Sequence, residues 1–256
     1  MTEILAGIFT LCGVGTMTPY IVLRIKRKHV AAIILKVSTS VLFLLTTGVS
    51  VLMSSGAAWE RYKFLFLGVL FGQISGLLGD YWLDMKDMHT KHHDTYVLAG
   101  FTSFLVGHLF FIAGLLATYG AGTQTVLFIL GAGFLLCAAV LATEKPMKLR
   151  YGKFKGITAG YSAVFGMSIA AAFCSWYFGR QLSWFAGMFS AQPLVMLIGL
   201  VVFLLSDFVL SGTYFGEGKT RPIDYTLNYI FYYGGQFTIA LSLLWIGGAA
   251  PTAPGA

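Results

Sequence analysis

Apolar runs about 20 residues long recur along the whole chain, separated by short polar stretches. A helix rises 1.5 Å per residue, so a run of about 20 crosses a hydrocarbon core of ~30 Å. The pattern predicts helical spans near 3–23, 30–53, 64–84, 95–118, 124–142, 156–177, 192–213 and 225–246. The connection between the sixth and seventh, "GRQLSWFAGMFSAQP", is aromatic enough to lie in the membrane interface. The tail 247–256, "GGAAPTAPGA", is small, uncharged and expected to be disordered. Residues 1–246 read as a single all-α domain, a polytopic transmembrane helix bundle of about eight spans. No internal repeat stands out, nor a pair of Pro- or Gly-broken half-helices of the kind transporters use. Gly72-xxx-Gly76 and Gly156-xxx-Gly160 predict close helix approaches.

Composition agrees. The chain of 256 residues is 57% hydrophobic and 11% charged, with a mean hydropathy of +0.78. Such a chain cannot cover itself with a water-compatible surface, which excludes a soluble domain. The net charge of +7 would suggest nucleic acid if it were spread over a soluble surface. Instead it is sorted by side. The connections after spans one, three, five and seven hold thirteen basic residues: Arg24, Lys26, Arg27, Lys28, Lys86, Lys91, Lys145, Lys148, Arg150, Lys153, Lys155, Lys219 and Arg221. The opposite side holds three, Arg61, Lys63 and Arg180. The positive-inside rule then places both termini on the non-cytoplasmic side, which requires an even number of spans. Membrane lipids are expected as partners, with headgroups near the basic side, and nucleic acid is not. "MTEILAGIFT" lacks a basic n-region and a cleavage pattern, so an uncleaved first span is expected. Cys12, Cys137 and Cys174 lie in apolar runs without a CxxC pair and read as small apolar fillers. The expected location is the inner (plasma) membrane of a bacterium.

Several polar residues interrupt the apolar runs. "ISGLLGDYWLD", residues 74–84, closes the third span yet carries Asp80, with Asp84 one turn on. A carboxylate within a span costs roughly 2.5–3.5 kcal/mol on insertion scales, so it is expected to face the bundle interior. Lys36 in span two, His108 in span four, Asp207 in span seven, and Tyr232 and Gln236 in span eight pose the same question. Most of this set falls within ~10–15 Å of the basic side at 1.5 Å per residue; His108 lies near the midplane. Helical spacing gathers Gln73, Gly76, Asp80 and Asp84 on one stripe. Tyr225, Tyr229, Tyr232 and Gln236 form a second, Lys36, Ser40 and Thr47 a third, and Asp207, Ser211 and Tyr214 a fourth. Polar seams on several helices predict one cavity opening toward the basic side. Duller readings stand beside this: Lys36 as a snorkelling lysine, Asp84 as a solvated helix end, and His108 as a helix–helix hydrogen-bond partner. "HTKHHD", residues 89–94, is read as a solvated loop in preference to a metal site.

"GLLGDYWL", "YVLAGFTSFLVGHLFFI", "VVFLLSDFVL" and "NYIFYYGGQF", in that order, resemble the YhhN family, whose animal members are lysoplasmalogenases. The resemblance spans residues 36–236. It places the family's pattern at Lys36, Gly79-Asp80, His108, Ser206-Asp207 and Tyr232/Gln236. The family's Lys is usually followed by Pro, where this chain has Val37, and the connection "MKDMHTKHHD" is unusual.

The resemblance implies hydrolysis of the vinyl-ether bond of a lysophospholipid, lysoplasmalogen, giving a fatty aldehyde and a glycerophospho-alcohol without a cofactor. Protonating the β-carbon of an enol ether yields an oxocarbenium ion that water attacks. This chemistry needs a general acid that keeps its proton near neutral pH, which burial favours, and a carboxylate that stabilises the cation and takes a proton from water. Asp80 and Asp207 suit these two roles in either assignment. His108, Tyr232 and Gln236 are expected to orient water and the sn-2 hydroxyl, with Gln73 and Ser206 beside them and Lys36 on the phosphate. Three other readings remain open. Asp80, His108 and Asp207 could hold a zinc ion, although catalytic zinc usually has more nitrogen ligands. The intramembrane charges could serve a proton-coupled carrier of a small amphiphile. Lys36 could carry retinal as a Schiff base, which would colour the protein.

Overall fold

A computed structural model of the chain describes residues 2–52, 56–181, 191–216 and 221–246. These residues form eight α-helices: α1 (Thr2–Ile25), α2 (His29–Leu52), α3 (Gly56–Met88), α4 (His93–Tyr119), α5 (Thr123–Ala142), α6 (Lys155–Gln181), α7 (Gln192–Phe215) and α8 (Pro222–Ser242). Among the described residues there is no β-strand, only one isolated bridge between Leu149 and Gly216. The interfacial reading of the sixth-to-seventh connection and the disordered reading of the tail fall outside the described residues.

Seven helices are long and apolar enough to cross a membrane. The exception is α8, whose four tyrosines and two glycines, with Asn228 and Gln236, lower its hydropathy. It is nevertheless helical over 21 residues, and its polar side chains turn inward. Exposure and polarity are inverted relative to a soluble protein. Ile4, Leu11, Leu127, Phe134 and Leu135 lie exposed, while Thr39, Thr46, Gln73, Asp80 and Asp84 are buried. Lipid is the solvent that suits such a surface. The chain is a multi-pass membrane protein.

Successive helices form hairpins, and α2, α3, α4, α6, α7 and α8 pack as a closed ring in which α8 returns to α2. The helix α1 leans on α2 and α8, and α5 on α6. Their sequences explain the outer positions. In α1 only Ala6, Gly13 and Tyr20 are buried, a seven-residue repeat that makes one narrow stripe, and in α5 only Ile129 and Gly133.

The tightest seam, α3 against α4, is made by glycines. A Cβ on Gly68 would stand 2.7 Å from the Gly114 Cα, and one on Gly107 would stand 2.8 Å from the Gly72 carbonyl oxygen. These contacts bring backbones together as small residues do within membranes. Gly72 therefore serves the predicted close approach, whereas Gly76 faces the side chains of Gln236 and Tyr232. The predicted approach at Gly156 and Gly160 does not occur, because Gly156 faces open space and Gly160 meets only Leu105, at 3.8 Å.

The third helix is longer than its apolar run. Its 33 residues extend to Met88, carrying Asp80 and Asp84 inside the helix. A three-residue 3₁₀ turn at Thr90–His92 then leads into α4, and His89–Asp94 lie exposed, as a solvated connection should. On the same side, Lys155 Nζ donates to Glu144 Oε2 (2.6 Å) and holds that carboxyl below the usual range, tying the α5–α6 connection together.

Candidate functional site

A cavity of about 540 Å³ opens where the ends of α1, α3 and α7, the starts of α4 and α8, and the α5–α6 connection meet. Its mouth therefore lies on the side of the basic connections. Lys36, Asp80, Ser206, Asp207 and Tyr232 line it; Gln73, His108 and Gln236 do not.

The stripes predicted on α2 and α3 zip together across the α2–α3 seam. Lys36 Nζ lies 3.4 Å from Asp80 Oδ1 and 3.2 Å from Asp84 Oδ1. Ser40 Oγ donates to Asp80 Oδ2 (2.7 Å), and Tyr232 of α8 donates to the same oxygen (2.8 Å). Deeper, Thr47 donates to Gln73 Oε1 at 2.5 Å, and Gln73 Nε2 donates to the Gln236 carbonyl oxygen at 2.9 Å. The Tyr20 hydroxyl of α1 reaches Asp84 Oδ2 at 3.5 Å, and Tyr233 donates to the Lys36 carbonyl oxygen at 3.2 Å. A lone buried charge is costly, so this one cation between two carboxylates, with hydroxyl donors around them, is a compensated cluster.

Two readings are thereby corrected. Lys36 does not snorkel: it is 5% exposed and its ammonium is occupied by two carboxylates. Asp84 is not a solvated helix end, being 2% exposed and paired with Lys36, because α3 continues a full turn beyond it.

Asp207 sits apart from this cluster with a different partner, the Tyr161 hydroxyl of α6, which donates to Oδ2 at 2.6 Å. Next to it, Asn228 Nδ2 donates to the Ser206 carbonyl oxygen (3.0 Å) and to Ser206 Oγ (2.9 Å), fixing α7 against α8. Phe104, Phe203 and Tyr232 pack against one another along the cavity that both carboxylates line, with ring centroids 5.1–6.0 Å apart. The mouth is basic: Arg24, Lys86, Arg150 and Lys153 line it. Arg24 and Lys86 both pair with Asp87, and Lys153 pairs with Asp94.

His108 packs against α6, and its Nε2 is buried without a hydrogen-bond partner among the described residues. Its ring stacks on Phe165 at 4.0 Å and its Nδ1 meets Ser168 Oγ at 2.9 Å, joining α4 to α6. Among the described residues no three His, Cys, Asp or Glu side chains gather in a metal-holding group, so Asp80, His108 and Asp207 are not a ready ligand set. The three cysteines are free and unclustered.

The contributions that sequence reasoning passed over are Tyr20, Tyr161 and Asn228. Asn228 was recoverable, since it lies four residues before Tyr232 on the same face of α8. Tyr161 carried one usable signal, that a phenol within a span seeks a hydrogen-bond partner.

Residues 31–243 match the YhhN family. The chain belongs to the YhhN family. No curated protein and no solved structure gives a significant match. The matched segment of this YhhN-family chain holds every cavity carboxylate, Lys36 and Tyr161. Tyr20 and Arg24, which α1 adds to the site, lie before it.

Proposed function

We propose that the protein is a membrane-embedded hydrolase that cleaves the vinyl-ether bond of a lysoplasmalogen-type lipid, releasing a fatty aldehyde and a glycerophospho-alcohol. The observation that carries this reading is the pairing of two unlike carboxylates in one cavity with a cationic mouth. Asp80 has a cation 3.4 Å away and two hydroxyl donors on one oxygen, an environment made for an anion. A carboxylate offers about four lone-pair positions, so one remains for a water molecule. Asp207 meets a neutral phenol and is the proton donor.

In the proposed reaction Asp207 gives its proton to the β-carbon of the enol ether, and the positive charge spreads over the α-carbon and the ether oxygen. Water adds to the α-carbon as Asp80 takes its proton. The hemiacetal then collapses, its hydroxyl proton going to the departing glyceryl oxygen, and proton exchange through the open cavity returns both carboxyls to their starting states. Tyr232, bonded to Asp80, orients the base. Lys36 sits between two carboxylates, Asp80 and Asp84, whereas Arg24 and Lys86 at the mouth share the single carboxylate of Asp87 and keep a net positive charge for the phosphate, to which they supply charge-assisted hydrogen bonds.

One observation favours a second reading, a proton-coupled carrier: the buried Lys36–Asp80–Asp84 cluster has the composition of a proton relay. Aldehyde release by the purified protein in detergent separates the two, since a carrier leaves its lipid intact. Loss of activity to strong chelators would turn the chemistry toward a metal.

A further inference from the structure

Beside the main cavity runs a second, narrower cleft of about 50 Å³. The two share Asp207, Phe104, Tyr151, Leu210 and others, so they meet where the proposed proton donor stands. Asp207 and Phe208 are successive residues of α7, about 100° apart around the helix. Both line the cleft, and Phe208 is 38% exposed on the outer face. The cleft therefore leads from the cavity between α5, α6 and α7 to the lipid-facing surface. Along α6 it follows Thr158, Ser162 and Phe165. Seven residues of rise make this about 10 Å. The first two side chains are small, and both are buried.

We infer that this cleft holds the single aliphatic chain of the lipid and brings the bond joining chain to headgroup against Asp207. The inference rests on the hydrolase reading for the identity of the bond, but the occupant follows from the geometry. An amphiphile needs one polar and one apolar compartment that meet, and the cationic cavity and this cleft are such a pair. Phe101, Phe104, Phe165 and Phe215 bound the cleft, and its volume of about 50 Å³ has no room for a second chain. The opposite cavity wall, on α1, α2 and α3, carries Arg24, Lys36, Asp80, Lys86 and Asp87 and gives a second chain no apolar path. A hydrocarbon chain gains little by exchanging lipid for an apolar protein slot. The cleft thus selects by shape, admitting single-chain lipids and excluding two-chain ones.

The test uses the whole protein in detergent with a non-hydrolysable 1-O-alkyl lysophosphoethanolamine carrying a diazirine a few carbons from the glycerol. After photolysis, mass spectrometry locates the attached label. Attachment at Leu136 or Val140 or within residues 158–165 and 204–211, displaced by unlabelled single-chain lipid and not by a two-chain phosphoethanolamine, is the expected result. Ser162→Leu, which fills the cleft, should reduce this labelling at least tenfold, and Ser211→Leu on the facing wall provides the same readout if the first variant does not fold. Label confined to the outer faces of α1 and α5, or displaced equally by two-chain lipid, would overturn the proposal. Cleft labelling without aldehyde release from an enol-ether lipid would keep the cleft and remove the hydrolase reading. Aldehyde release without cleft labelling would do the reverse.

Discussion

Lys36 Nζ lies 3.2 Å from Asp84 Oδ1, deep in the seam between α2 and α3. This contact turns what would be an isolated intramembrane lysine into the centre of a cluster with two carboxylates, and it sets the geometry of Asp80 beside the cavity. Lys36→Met leaves both carboxylates buried without their cation. Breaking a buried pair in this way costs about 3–5 kcal/mol. Thermal unfolding in detergent should show Lys36→Met as more damaging than Asp84→Asn, with the double variant less destabilised than the sum of the singles. Additive effects would mean that the pair carries no coupling energy.

The hydrogen bond from Tyr161 to Asp207 predicts a graded effect. Tyr161→Phe keeps the ring and removes the one hydroxyl on Asp207 Oδ2. A hydrogen bond to a group that becomes charged in the reaction is worth about 1.5–3 kcal/mol, so turnover should fall by about ten- to a hundredfold. KM should change little. A raised KM with unchanged kcat would place Tyr161 in lipid binding instead.

For His108 the structure predicts lost stability and retained chemistry. His108→Ala removes the stack on Phe165 and the Ser168 hydrogen bond. It should cost about 3 kcal/mol, in the range of truncating a buried aromatic, with activity per folded molecule kept within a few-fold. A folded His108→Ala protein without activity would restore it to the reaction.

Glycine positions give a contrast that requires no substrate. Gly107→Ala pushes a methyl group to 2.8 Å from the Gly72 carbonyl oxygen and should lower the yield of folded protein sharply, whereas Gly156→Ala meets open space and should be neutral or slightly stabilising. Size-exclusion profiles in detergent read both.

The helices were largely legible because hydrophobic run length is tied to membrane thickness. The run 124–142 became Thr123–Ala142 and 192–213 became Gln192–Phe215. The run 64–84 became Gly56–Met88 for a physical reason: hydropathy reports where hydrocarbon ends, whereas helical hydrogen bonding continues through Ala, Glu, Arg, Lys and Met, all good helix formers. Misplacing that end also misplaced Asp84. Of the site, the stripes on α2, α3 and α8 were readable from spacing, and they proved to face one another through Ser40–Asp80 and Thr47–Gln73. Which stripe meets which is a question of helix arrangement around the ring, and hydropathy does not encode it. Hence Tyr161 went unnoticed beside Asp207, and Lys36 was assigned to the phosphate when its nearest partners are Asp80 and Asp84.

The most direct test is aldehyde release from lysoplasmenyl-ethanolamine by the purified protein, measured beside Asp207→Asn and Asp80→Asn with folding verified by thermal unfolding. The account predicts aldehyde from the wild type, and a loss of at least about a hundredfold in each variant, the scale of general acid–base contributions. Aldehyde production that survives in a folded Asp207→Asn protein would contradict it.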